Sequence, residues 1–295
     1  MLRPPPKSPG AALRALFKND TVIMPGVFNA ISAVSATKAG AQALYLSGAG
    51  ITNSLLGVPD IALATLDEFS RQASYVTAVS PVPTISDADT GFGEAWNVAR
   101  TVIEMERAGL AGIHLEDQVM PKRCGHLDGK AVIPPEEMAR KLRAAVSAKA
   151  DSSFVLIART DARGVEGLEA AQDRAKLYVE AGADAIFPEG LESEAEFESF
   201  RKALPGTPLL ANMTEFGKTP IISTARFKDL GYQMVIFPMS GFRLMLKALD
   251  DGYAELLRSG TQQGLLPKMR TRAELYDRID YAEYTECDRR WLAND

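Results

Sequence analysis

The sequence predicts an α/β fold closed into a (β/α)8 barrel of the TIM type. Three observations predict it: eight short β-rich runs, helical patterns between them, and polar residues gathered where the runs end. A chain of 295 residues suits one such barrel over 1–295, with 1–10 as a flexible tail and 118–131 as a mobile loop over the site.

The runs are, in order, TVIMPG from Thr21, ALYLSG from Ala43, PTISDAD from Pro83, GIHLED from Gly112, FVLIART from Phe154, AIFPEG from Ala185, PLLANM from Pro208 and MVIFPMS from Met234. Most are separated by segments such as AWNVARTVIEMERAG and EAAQDRAKLYVEAG, whose apolar residues recur at the three- and four-residue spacing of an amphipathic helix. Strand–helix alternation requires parallel pairing, and eight units without a break favour closure over an open sheet. Gly40, Gly109 and Gly182 sit in matching helix-to-strand junctions, where a glycine ends a helix in the left-handed conformation. AALRALF, ahead of the first run, reads as a further helix.

The strand ends carry Ser47, Asp87 with Asp89, Glu116 with Asp117, Arg159, Glu189, and Asn212 with Thr214. Barrel enzymes build their sites at that face. Alternation along a strand places Ile85, Asp87 and Asp89 on one side, His114 with Glu116, and Val155 and Ile157 with Arg159. Two carboxylates at Asp87 and Asp89 repel unless a cation lies between them, and hard oxygen donors suit Mg²⁺ or Mn²⁺. Glu116 and Asp60 are placed to hold metal-bound water. Ser47-Gly48-Ala49-Gly50 lacks the third glycine of a dinucleotide fingerprint and offers backbone N–H groups to an anion. His114, in mid-strand, reads as a hydrogen-bonded interior histidine.

In PKRCGH, from Pro121, Lys122 and Arg123 lower the pKa of the Cys124 thiol from its reference of about 8.5. A thiol there serves as acid, nucleophile or ligand. Zinc is excluded, because Cys124 and His126 make only two ligands. Cys287 reads as a packing residue. A net charge of −5 with no basic stripe excludes nucleic acid as a partner. No apolar run reaches the roughly 18 residues a membrane span needs, so no membrane is expected. Two separated cysteines suggest reduced thiols and a cytoplasmic location.

KRCGH after GIHLEDQ, TISDADTGFG, ARTDA, LLANMTEFG and TRAELY resemble the isocitrate lyase/phosphoenolpyruvate mutase superfamily. The resemblance runs from about residue 10 to about residue 285 and is nearest to the short 2-methylisocitrate lyase branch. It implies a Mg²⁺-dependent carbon–carbon lyase, with Mn²⁺ as substitute, releasing pyruvate and succinate from a small carboxylate substrate. A related 2-hydroxy acid (2,3-dimethylmalate or isocitrate), hydrolysis of oxaloacetate, or an inactive barrel used for binding are the alternatives. Phe187 stands where isocitrate lyases carry tryptophan, which favours a substrate with an extra methyl group.

The resemblance also implies residue roles. Asp87 and Asp89 would hold the metal, with Asp60 and Glu116 acting through water. Ser47, Gly48 and Ala49 would bind a carboxylate, Ala49 standing where glycine is common. Cys124, Gly125, Arg159, Glu189, Asn212, Met213, Thr214, Arg243 and Arg272 would contact substrate. Cys124, Glu116 and His126 would be catalytic, Cys124 protonating the carbanion left by bond cleavage. A homotetramer with exchanged C-terminal helices completes the expectation.

Overall fold

The computed structural model describes residues 8–123 and 129–292. Eight parallel strands are present: β1 (Val22–Val27), β2 (Leu44–Leu46), β3 (Thr84–Asp87), β4 (Gly112–Glu116), β5 (Val155–Thr160), β6 (Ala185–Pro188), β7 (Leu210–Asn212) and β8 (Met234–Phe237). Their order is β6-β5-β4-β3-β2-β1-β8-β7, and a parallel bridge between Ile186 and Leu209 joins the two ends. The predicted barrel is therefore formed. Around it lie α2 (Ala30–Lys38), α3 (Gly48–Ile51), α4 (Leu66–Val79), α5 (Ala95–Arg107), α6 (Pro135–Ala148), α7 (Leu168–Glu180), α8 (Glu194–Ala203), α9 (Thr224–Asp229) and α10 (Ser240–Ser259). Gly40, Gly109 and Gly182 take φ values of 97°, 84° and 102°, the left-handed geometry expected at those junctions.

Helix α1 (Pro9–Asn19), the helix expected from AALRALF, precedes the barrel and takes Pro9 and Gly10 out of the expected tail at 1–10, whose first seven residues lie outside the described ones. Ser8 caps it and Pro9 opens it, while Leu13 and Phe17 find a floor to bury. They pack with the inner residues Met24, Tyr45, Ile85, Ile157 and Met234. Leu44, Leu46, Ile113, Leu115, Leu156 and Val235 point outward and pack under the helices.

The strand register stacks the interior in layers. Tyr45, Ile85, Gly112 and Val155 are level with one another; above them come Asp87, His114, Ile157 and Ala185; then Glu116, Arg159 and Phe187. The interior thus changes from apolar to charged toward the C-terminal ends of the strands. Asp89 departs from the expected column: β3 ends at Asp87, and Asp89 adopts φ 45° with its N–H donating to Asp87 Oδ1 at 2.9 Å. The turn, not the pleat, aims its carboxylate.

Beyond the barrel, α11 (Arg272–Arg278) and α12 (Tyr281–Leu292) follow α10. Lys38 on α2 pairs with Asp280 between them at 2.9 Å. Cys287 is buried on α12, as a packing residue should be. Among the described residues no helix is long and apolar enough to cross a membrane.

Candidate active site

The C-terminal mouth of the barrel holds an open cavity of about 60 Å³. Ser47, Ala49, Asp60, Asp87, Arg159, Glu189, Asn212 and Thr214 all line it, so five strands and their loops converge as the sequence predicted. Ser47 caps α3 by accepting from Gly50 N–H at 3.1 Å. The N–H groups of Gly48 and Ala49 open that helix, where helical geometry supplies no acceptor. Gly48 also meets Asp87 so closely that an added Cβ would lie 2.5 Å from Oδ2. On the far wall Asn212 Nδ2 donates to Glu189 Oε2 at 3.1 Å, and Arg159 Nη1 lies 3.5 Å from the same oxygen. Phe187 sits under Arg159, with the guanidinium 5.2 Å from the ring centroid.

Lys122 reaches into the acidic side of the mouth and is 3% exposed along its side chain. Its Nζ bridges Asp60 at 2.5 Å and Asp89 at 2.9 Å. Burial would lower its pKa, but Asp89, Asp87, Glu116 and Asp60 raise it well above the ordinary lysine value. The amine is therefore a fixed cation here. Burial pushes Asp89 up to about 7, Lys122 opposing and Asp87 and Asp60 adding. Burial likewise lifts Glu116 far above the usual carboxylate range, against Arg159. At Asp87 burial also pushes upward, but His114, Lys122 and Arg159 outweigh it and hold the carboxyl low. Burial drops His114 to about 4, so its ring is neutral, and Nε2 lies 2.9 Å from the Tyr45 hydroxyl. That is the interior histidine expected.

Asp60, Asp87, Asp89, Glu116, Asp161 and Glu189 share this region with Lys122, Arg123, Lys130 and Arg159, so carboxylates exceed cations by two. Burial pushes Asp89 and Glu116 upward in spite of Lys122 and Arg159 beside them, so these are the two carboxylates of the set that a further cation would relieve. Glu116 Oε1 is buried without a hydrogen-bond partner, while Asp89 Oδ1 has only the Lys122 ammonium, at 2.9 Å. Among the described residues no three His, Cys, Asp or Glu groups form a ready-made metal cage. Mg²⁺ needs none, since it binds through one or two carboxylates and keeps several waters. The residues fit a divalent cation.

Other expected residues fall elsewhere. Met213 is buried on the outer side of the barrel, its sulfur accepting from Ile222 N–H, because Asn212 and Thr214 take the inward positions. Arg243, on α10, lies 3.4 Å from Glu215 and stacks on Phe216, away from the cavity lining. Arg272 is exposed at the start of α11 and does not line the mouth of its own chain. Cys124, Gly125 and His126 lie outside the described residues. Gln118 pairs with Val132, and Val119 N–H donates to Ala131, so part of the span expected to be a loop is a hairpin stem.

Sequence reasoning missed three participants. Tyr45 hid as an apolar strand residue, and Lys122 was read only as a neighbour of the thiol. Asp161 lies two residues beyond Arg159, a spacing that alternation could have flagged; its buried carboxylate grips Arg159 Nε at 2.9 Å.

A parallel barrel that gathers a guanidinium, an ammonium and surplus carboxylates at its C-terminal mouth defines a barrel enzyme with a charged site. The chain belongs to the phosphoenolpyruvate phosphomutase family, which matches residues 13–257. A 2-methylisocitrate lyase of Aeropyrum pernix is 55% identical, covering 98% of this chain and 92% of its own. Among solved structures, a 2,3-dimethylmalate lyase superposes with a TM-score of 0.92 at 37% identity, over 97% of this chain and 96% of its own. A phosphonopyruvate hydrolase in complex with oxalate and Mg²⁺ superposes with a TM-score of 0.87 at 27% identity, over 97% and 99%.

Proposed function

We propose that this chain is a Mg²⁺-dependent carbon–carbon lyase that cleaves 2-methylisocitrate to pyruvate and succinate. The observation that carries it is the mouth itself, with Arg159 for a carboxylate on one wall and a two-charge acidic excess on the other. The 55% identity to a 2-methylisocitrate lyase over 98% of the chain supports that substrate over its relatives. Asp87 and Asp89 would hold Mg²⁺, directly or through water, with Asp60 and Glu116 binding its water. When bound, the ion supplies a Lewis acid that polarises the substrate hydroxyl and its adjacent carboxylate.

The rest is done by the chain. Arg159 receives a carboxylate as a planar fork, steadied by Phe187, Glu189 and Asn212. Ser47 and the N–H groups of Gly48 and Ala49 take a second carboxylate, and Thr214 completes the lining. Loss of the hydroxyl proton breaks the neighbouring C–C bond, and the hydroxyl carbon becomes the keto carbon of pyruvate. The electron pair passes to the carbon that becomes succinate, beside a carboxylate that spreads the charge. That carbon then takes a proton, which we assign to Cys124, a thiol two residues after Lys122. His126, Gly125 and Glu116 support this step. A homotetramer in the cytoplasm completes the proposal.

The test is a panel assay of purified protein with Mg²⁺ on 2-methylisocitrate, isocitrate, 2,3-dimethylmalate and oxaloacetate. Fastest turnover is expected with 2-methylisocitrate, and EDTA should abolish it. Faster turnover of 2,3-dimethylmalate, the substrate named by the solved structure of TM-score 0.92, would reassign the substrate.

A further inference from the structure

Asp161 stands apart from the acids that face the divalent cation, and it is fully buried. It takes Arg159 two-pronged: Nε donates to Oδ2 at 2.9 Å and Nη2 to Oδ1 at 3.1 Å. Glu116 at 3.3 Å and Glu189 at 3.5 Å compete for the same guanidinium. A planar fork gripped along one edge cannot swing toward either competitor, so Asp161 decides which N–H groups face the cavity. Its Oδ1 also accepts from Lys130 Nζ at 2.8 Å. Lys130 leads into the returning arm of the hairpin stem, where Val119 N–H donates to Ala131. Asp161 is itself pinned, its backbone N–H donating to Asp117 Oδ1 at 2.9 Å.

We propose that Asp161 is a positioning residue whose single carboxylate sets both the presentation of Arg159 to substrate and the seat of the Lys130 arm beside the mouth. The inference rests on reading that mouth as the lyase site. A carboxylate serving only to neutralise a buried arginine would have no reason to anchor a second cation from another segment. Nor would its backbone need a third group to hold it in place.

Asp161→Asn keeps the shape, removes the charge, and turns one acceptor into an amide donor facing Arg159 or Lys130. KM for 2-methylisocitrate should rise roughly tenfold or more at saturating Mg²⁺. A purely structural role would lower kcat through an inactive fraction and leave KM in place, so an unchanged KM in folded Asp161→Asn overturns the proposal. Should that variant not fold, Lys130→Met removes one arm only. It should raise KM about threefold or more with a melting midpoint near the parent's, and a parental KM overturns the proposal. If the unsubstituted chain cleaves no 2-methylisocitrate, the lyase reading fails separately, and Asp161 is judged by calorimetric affinity for oxalate. Weakening by about tenfold or more in Asp161→Asn supports the positioning role; an unchanged affinity rejects it.

Discussion

At the scale of single residues, a buried carboxylate that its cation only partly offsets sets a response to pH. Asp89 ionises near 3.8 in an unfolded chain and near 7 when folded, because burial raises it beyond what Lys122 can offset. Its contribution to stability is therefore fully present below about pH 4 and is lost as pH rises through about 7. Chelated protein should melt at a lower temperature at pH 8 than at pH 6, and Mg²⁺ should raise the midpoint more at pH 8. A chelated midpoint that stays flat across this range would show that Lys122 fully offsets the burial of Asp89. The Asp87–Asp89 pairing was legible in the sequence, because like charges two residues apart after a β run demand a cation. Lys122 was not, because a Lys-Arg pair in a polar loop reads as solvated until the fold shows carboxylates waiting for it.

At the scale of elements, the short turns after the strands do the aiming. Helix α3 brings its first residue against Asp87, and glycine is the only residue that leaves that carboxylate in place. Gly48→Ala should fold normally, yet raise the Mg²⁺ needed for half-activity and lower kcat/KM by roughly tenfold or more. Titration of activity against Mg²⁺ checks this, and a parental curve would show that Asp87 has room to move. Strand alternation predicted His114, Glu116 and Arg159 on the inner face, and they are there. Applied to β7 and the residue after it, the same rule excludes Met213 between Asn212 and Thr214. Asp89 escaped the rule because a left-handed residue ends the strand one step early.

For the whole molecule, the last helices carry exposed apolar surface that a single chain does not bury. Helix α10 buries only Phe242 along 20 residues, and Leu244, Leu257, Trp291 and Leu292 are 74%, 85%, 71% and 69% exposed. Apolar surface on this scale marks association. Light scattering after size exclusion is expected to give the mass of four chains, and a 31.9 kDa monomer at micromolar concentration would overturn the tetramer. Arg272 belongs to the same question: it lies on α11, outside the mouth of its own chain.

The sequence by itself determined the closed barrel, the face that carries chemistry, and most of the groups there. Strand and helix periods are local, and a closed parallel barrel sends every strand end to one mouth. Only the tertiary structure decided how the charges are shared. Lys122 joins Asp60 to Asp89, and Asp161 joins Arg159 to Lys130, across segments far apart in the chain. Pairing of that kind depends on distance and burial in three dimensions, where a buried charge must find a partner or give up its ionisation.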